Sequence, residues 1–167
     1  MKRRVLRISL IALIVAGCAH KSGDSGTDIQ IVDAYLVKWD RFARGENELA
    51  PDLKKGKAPF EAALTRLLVA GDRRAASRLV FYTVVQVGGS IRIDTELGKA
   101  ALAFVGENFP ITRTKDDGDV LFAADLYFWW EENRAQYEPF PLFDEWRKRD
   151  FAQKIVLPMY RSTRKRE

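Results

Sequence analysis

The chain has 167 residues with 28 basic and 23 acidic side chains, a formal net charge of +5 and a pI near 9.4. The excess of positive charge sits at the ends: residues 1–17 hold four bases and no acid, residues 161–167 four bases and one acid, and the stretch between them nets −2. A body of that sign is no electrostatic match for a polyanion, so nucleic acid is excluded as an expected partner.

Lys2, Arg3, Arg4 and Arg7 form a positive start, and the short apolar run from Ile8 to Val15 follows it. Small residues Ala16 and Gly17 then precede Cys18. Positive start, short apolar run and small residues before a cut site describe a secretory signal. A membrane-spanning helix needs roughly 20 apolar residues, and polar residues from His20 onward end this run too early for that. The Val15-Ala16-Gly17-Cys18 ending resembles the lipobox of bacterial lipoproteins. That resemblance implies cleavage before Cys18, diacylglycerol on its thiol and acylation of the new amine. It also implies an address. Aspartate just after the cysteine marks inner-membrane retention in such proteins, and Ala19 there points to the outer membrane, facing the periplasm. Cys18 is the only cysteine, so no disulfide can form within the chain. Two or more acyl chains anchor a protein stably where one does so only marginally.

Cleavage would leave 150 residues, one domain's worth. Residues 18–27, with two glycines and no large apolar side chain, read as a lipid-anchored tether, 28–160 as the globular domain and 161–167 as a basic tail. Val32, Tyr35, Leu36, Trp39, Phe42 and Ala43 recur at helical spacing, with Thr27 or Asp28 as the cap and Gly45 as the stop. Residues 45–57 are polar, with Pro51 and Gly56, and are expected to form a loop before a helix starting at Pro59 and ending at Gly71. Residues 73–87 are apolar nearly all round at their centre, which predicts a buried helix. A β-hairpin turning at Gly88-Gly89 is the alternative, because the segment is rich in β-branched residues. A helix over 94–108 is expected to present Leu97, Ala101, Phe104 and Val105 to the core. A short hairpin around Asp116-Asp117-Gly118 is a further alternative to plain loop. The last two helices are expected over 120–136, burying Phe122, Leu126, Trp129 and Trp130, and over 142–154. On the latter, Asp144–Lys148 and Glu145–Arg149 are spaced as i,i+4 ion pairs. The sum is an all-α single domain of five or six helices, with a short β-hairpin near 84–93 or 110–122 as the variant reading.

The chemistry is defined mostly by what is missing. His20 is the only histidine and lies two residues from Cys18, away from any folded pocket. That removes Ser-His-Asp and Cys-His catalysis and histidine- or thiolate-based zinc sites, and no cofactor is implied. Ser162-Thr163-Arg164-Lys165 matches Ser-x-x-Lys in spacing only, because that chemistry needs a pocket and this is a terminal tail. Asp116, Asp117 and Asp119 lack the alternating ligands and closing glutamate of a calcium loop. Glu131, Glu132, Glu138 and Asp144 flank the aromatic run Tyr127-Phe128-Trp129-Trp130, and paired carboxylates beside aromatics are what glycoside hydrolysis uses.

Tyr127, Phe128 and Tyr137 fall outside the expected core stripe and, with Glu131, are the candidate partner or ligand surface. Arg73 and Arg74 join them as cations in the first turn of a helix, where the dipole disfavours positive charge. Such a pair marks an anion site or an ion pair with Asp72 or another element. The expected function is a membrane-anchored, non-enzymatic protein-binding module, adaptor or inhibitor, with a carboxylate-dependent glycan hydrolase or small-ligand binder as the alternative.

Overall fold

The computed structural model describes residues 24–85 and 89–164. The signal segment, Cys18, His20, the Gly88 half of the Gly88-Gly89 turn and the last three tail residues lie outside them.

The first helix, α1 (Ser25–Ala43), starts earlier than its apolar pattern implies, inside the stretch read as tether. Asp24, not Thr27 or Asp28, is the cap, its side chain accepting the Gly26 N–H at 3.1 Å. Val32, Tyr35 and Leu36 form its buried face, and Asp28 and Asp40 are buried with them.

The expected loop over 45–57 is largely helix. After a 3-10 turn at Asn47–Leu49, α2 runs Ala50–Val69 with Pro51 in its first turn and Pro59 inside it. The apolar stripe is Leu53, Phe60, Leu64 and Leu67. Its missing member is Gly56, which lies under Tyr35, where an added Cβ would come within 3.2 Å of the ring. A glycine at the stripe position hides the helical period from the sequence. α1 and α2 run antiparallel, tied near one end by Arg66–Asp28 and near the other by Lys38–Asp52.

The buried-helix reading of the next segment holds: α3 (Ala75–Val84) is buried on every face, with only Tyr82 half-exposed. The strand in the rival reading also exists, as β1 (Ser90–Arg92), but it does not pair with α3's segment. Its partner is β3 (Gly118–Phe122), with Ile91 opposite Leu121, and β3 also pairs with β2 (Thr112–Thr114). The result is a small antiparallel sheet of order β1-β3-β2, and the hairpin at Asp116-Asp117-Gly118 is real. Val120 to Phe122, expected to open a helix, are therefore strand. Short apolar runs satisfy both periods, and pairing with Ile91 decides between them.

Between β1 and β2, α4 (Glu96–Val105) is capped by Thr95, which accepts the Gly98 N–H at 3.0 Å, and ends at Gly106 rather than near Pro110. α5 follows β3 directly (Ala123–Asn133) and closes in a 3-10 turn at Arg134–Gln136.

The final expected helix is broken in two. α6 (Pro141–Lys148) stops at Arg149, whose backbone is extended. The chain then re-enters helix through a π-turn at Ala152–Val156 and continues as α7 (Leu157–Arg164), so the basic tail is helical to Arg164. Pro158 supplies a reason for the π-turn: it has no N–H to give, and its ring would crowd the carbonyl four residues back in a regular helix. Asp144 lies nearest Arg147, and Arg149 leaves Glu145 for Asp40.

Among the described residues the fold is thus seven α-helices around one core, with the sheet beside α4: a mostly helical single domain. Phe143 is central, its ring within contact range of Phe81, Tyr127, Trp130 and Trp146.

Candidate functional site

A concavity of about 400 Å³ lies between α5 and the loop that leaves α4. α4 stops because Gly106 adopts φ +102°, a conformation that side chains rarely take, and the chain then turns through Glu107, Asn108 and the buried Phe109 to Pro110. The other wall is a single stripe of α5: Asp125, Phe128, Trp129 and Glu132 follow i, i+3, i+4, i+7 spacing and all line the cleft. The opposite stripe, Ala123, Leu126, Tyr127 and Trp130, is core.

Trp129 and Tyr127 have therefore exchanged their expected roles. Tyr127 is buried, 4% exposed, with its ring against Phe143 and Tyr160. Burial pushes its hydroxyl pKa up. Trp129 is half-exposed, standing in the cleft with Phe104 at 6.1 Å and Tyr137 at 5.5 Å behind it. Tyr137, expected on the surface, thus contributes by bracing Trp129, and desolvation raises its hydroxyl pKa too.

The charged groups divide. Glu107, Asp125 and Glu132 line the cleft, and no lysine or arginine is among its described lining residues. Glu131, one residue from Glu132, points elsewhere: it accepts from Arg147 and, at 3.3 Å, from the Tyr127 hydroxyl, closing α5 onto α6. The Arg147 guanidinium also covers the Trp130 ring at 4.9 Å. Glu138 is exposed beyond α5, its backbone N–H bonded to the Arg73 carbonyl, and Asp144 is 3.9 Å from Arg147.

Arg73 and Arg74 are staples. Arg74 pairs with Asp72 at 2.6 Å and reaches the Ser25 carbonyl at 3.3 Å, while Arg73 Nε donates to the Gln136 carbonyl at 2.8 Å. The hydrogen bonds from Arg74 hold the Asp72 carboxyl below its ordinary pKa.

Of the residues expected to form a surface, only Phe128 reaches the cleft. Trp129, Asp125, Glu107 and Phe109 are additions. A sequence signal was available for Asp125 and Trp129, since two aromatics and two acids recur at helical spacing from 125 to 132, but not for Glu107 and Phe109, which the loop after α4 brings in.

A second hollow of about 280 Å³ lies where Arg149 crosses to α1, lined by Asp40, Arg44, Trp146 and Phe151. Asp40 is 2% exposed and already holds Arg149 and Arg44, so this hollow is floored by a satisfied ion pair. Among the described residues no group of three or more Asp, Glu, His or Cys is placed to hold a metal ion, and no helix is long and apolar enough to cross a membrane.

No protein-family model, curated protein or solved structure matches the chain.

Proposed function

We propose that this protein is an envelope lipoprotein, anchored through lipid on Cys18 at the outer membrane, whose helical domain binds a protein partner in the periplasm. The lipobox resemblance supports the address. The observation that carries the binding reading is the α5 stripe, where Phe128 and Trp129 stand between Asp125 and Glu132 in an open cleft. Half-exposed aromatics held by a packed scaffold are the residue types that dominate binding energy at interfaces, and carboxylates around them favour a basic side chain on the partner.

The test is in-cell photocrosslinking from position 128, followed by purification of the captured protein and measurement of its affinity. Trp129→Ala is expected to weaken that complex by about 2 kcal/mol, roughly thirtyfold. Equal capture from a position on α1 and unchanged affinity in Trp129→Ala would count against the cleft.

A second reading draws on the same stripe. Asp125, Glu132 and Glu107 beside Trp129 have the composition of a glycan site, and a carboxylate-dependent hydrolase would use two of them. The readings separate on Asp125→Asn and Glu132→Gln, tested singly. A hydrolase loses essentially all activity at one of them, whereas a binding face loses affinity in graded steps.

A further inference from the structure

Three features converge where the domain begins. The end of α2, the turn after it and the start of α1 are held together by Arg66 on Asp28 and by Arg74 on the Ser25 carbonyl. On that end Val69 is 76% exposed, the highest value among the exposed large hydrophobic side chains of the described residues, and Ala70 and Gly71 beside it are exposed as well. Arg73 is exposed next to them, in no ion pair among the described residues, with only Nε engaged. Three of the nearby acids are occupied, Asp72 by Arg74, Asp28 by Arg66, and Asp24 as the cap of α1, while Glu138, whose backbone N–H meets the Arg73 carbonyl, is exposed.

The third feature is the length of chain before Asp24. Only residues 19–23 separate it from Cys18. Six Cα-to-Cα steps, fully extended, reach about 20 Å, less than the width of a domain this size. A lipid on Cys18 therefore keeps the α1 start close to the bilayer, while α1 itself carries the Glu46–Glu48 end about 28 Å away.

We infer that the turn between α2 and α3 is a membrane-resting face, Val69 entering the headgroup layer and Arg73 meeting lipid phosphate. The chemistry matches: an exposed apolar side chain beside a cation whose stem can lie along the interface is what an anionic phospholipid surface accepts. Lipid plus a weak surface contact is also the two-signal arrangement that orients a peripheral protein. The inference rests on the lipid-anchored reading, and it adds an orientation to it.

The experiment attaches the lipid chemically, so that it does not depend on acylation in cells. The mature chain is coupled through Cys18 to a maleimide phospholipid in vesicles of phosphatidylethanolamine with a minority of phosphatidylglycerol. An environment-sensitive fluorescent amino acid is placed at position 69 or, as the far-end control, at position 48. Both sites are exposed, so both variants keep the fold. The expected result is a blue shift and loss of most iodide quenching at 69 on vesicles, no change at 48, and a smaller effect at 69 when Arg73→Glu is added. Iodide access at 69 equal to that at 48 overturns the inference. So does shielding at 69 in the uncoupled chain without vesicles, which would mean that a second copy covers the turn. The mass of Cys18 from cells tests the anchor separately, and an unmodified cysteine would remove the anchored reading without altering the vesicle result.

Discussion

At the scale of single residues, α1 is held by three acid–arginine clips from three later segments. Asp28 takes Arg66 from α2, Asp33 takes Arg78 from α3, and Asp40 takes Arg149 from the bend after α6. Asp28 and Asp40 are almost wholly buried, and so is Arg78, whose guanidinium also stacks on Phe140 at 4.5 Å. A buried pair adds little net stability over an apolar replacement, but losing one partner leaves the other charge stranded. Arg149→Met is therefore expected to cost roughly 3 kcal/mol in urea unfolding, at the low end of that class because Arg44 stays 3.3 Å from Asp40. A loss below about 0.5 kcal/mol, the size of an exposed pair, would show that Arg149 is dispensable.

Asp72 gives the acid dependence at the same scale. Its pKa is lowered in the folded chain by hydrogen bonds from Arg74. Its contribution is therefore present above the unfolded carboxyl pKa and disappears as pH falls through the folded value. Asp72→Asn should be less stable than the parent at neutral pH. The gap should close as unfolding is measured at progressively more acid pH, and a gap that stays constant with pH would rule out this linkage.

At the scale of elements, α4 shows how a close backbone crossing selects a residue. The end of β1 passes over its first turn, and a Cβ on Gly98 would meet the Arg92 carbonyl oxygen at 1.9 Å. That oxygen already accepts from the Thr95 hydroxyl and N–H, so it is not free to move. Gly98→Ala, favourable by helix propensity alone, is expected to destabilise by about 3 kcal/mol in the same unfolding measurement. A stabilised variant would mean that β1 and α4 separate easily. Pro59 shows the opposite tolerance. It sits inside α2 on the exposed side, and the helix runs through it although its ring nitrogen has no N–H to give.

For the whole molecule, the distribution of charge and apolar surface matters more than any one group. The body nets −2, and its concave face carries acids among aromatics, which suits a basic partner and disfavours a polyanion. Anchoring would set the distance at which that cleft works. Cys18→Ser is expected to abolish the acyl mass increment and release the chain from the membrane fraction. A processed, membrane-held serine variant of otherwise unchanged mass would refute lipid attachment at Cys18.

How much of this was legible in the sequence depends on how local the cause is. The apolar face of α1 and the all-round apolar centre of α3 follow from side chains a few residues apart and were legible in the sequence, and the turn at Asp116-Asp117-Gly118 was one of the two readings it offered there. The lack of histidine and cysteine in residues 24–167 was legible as well. What the tertiary structure alone decided involves partners far along the chain. Ile91 makes Val120 to Phe122 a strand, Tyr35 makes Gly56 part of a helix face, and Asp40 draws Arg149 out of helix across 109 positions. The cleft belongs to this second group. Tyr127 and Trp129 lie on different faces of one turn, either apolar enough to be core, and α5 buries Tyr127 because Phe143 and Tyr160 pack against that side. Periodicity sets that a helix has an inner face; only packing against the rest of the molecule selects which face it is.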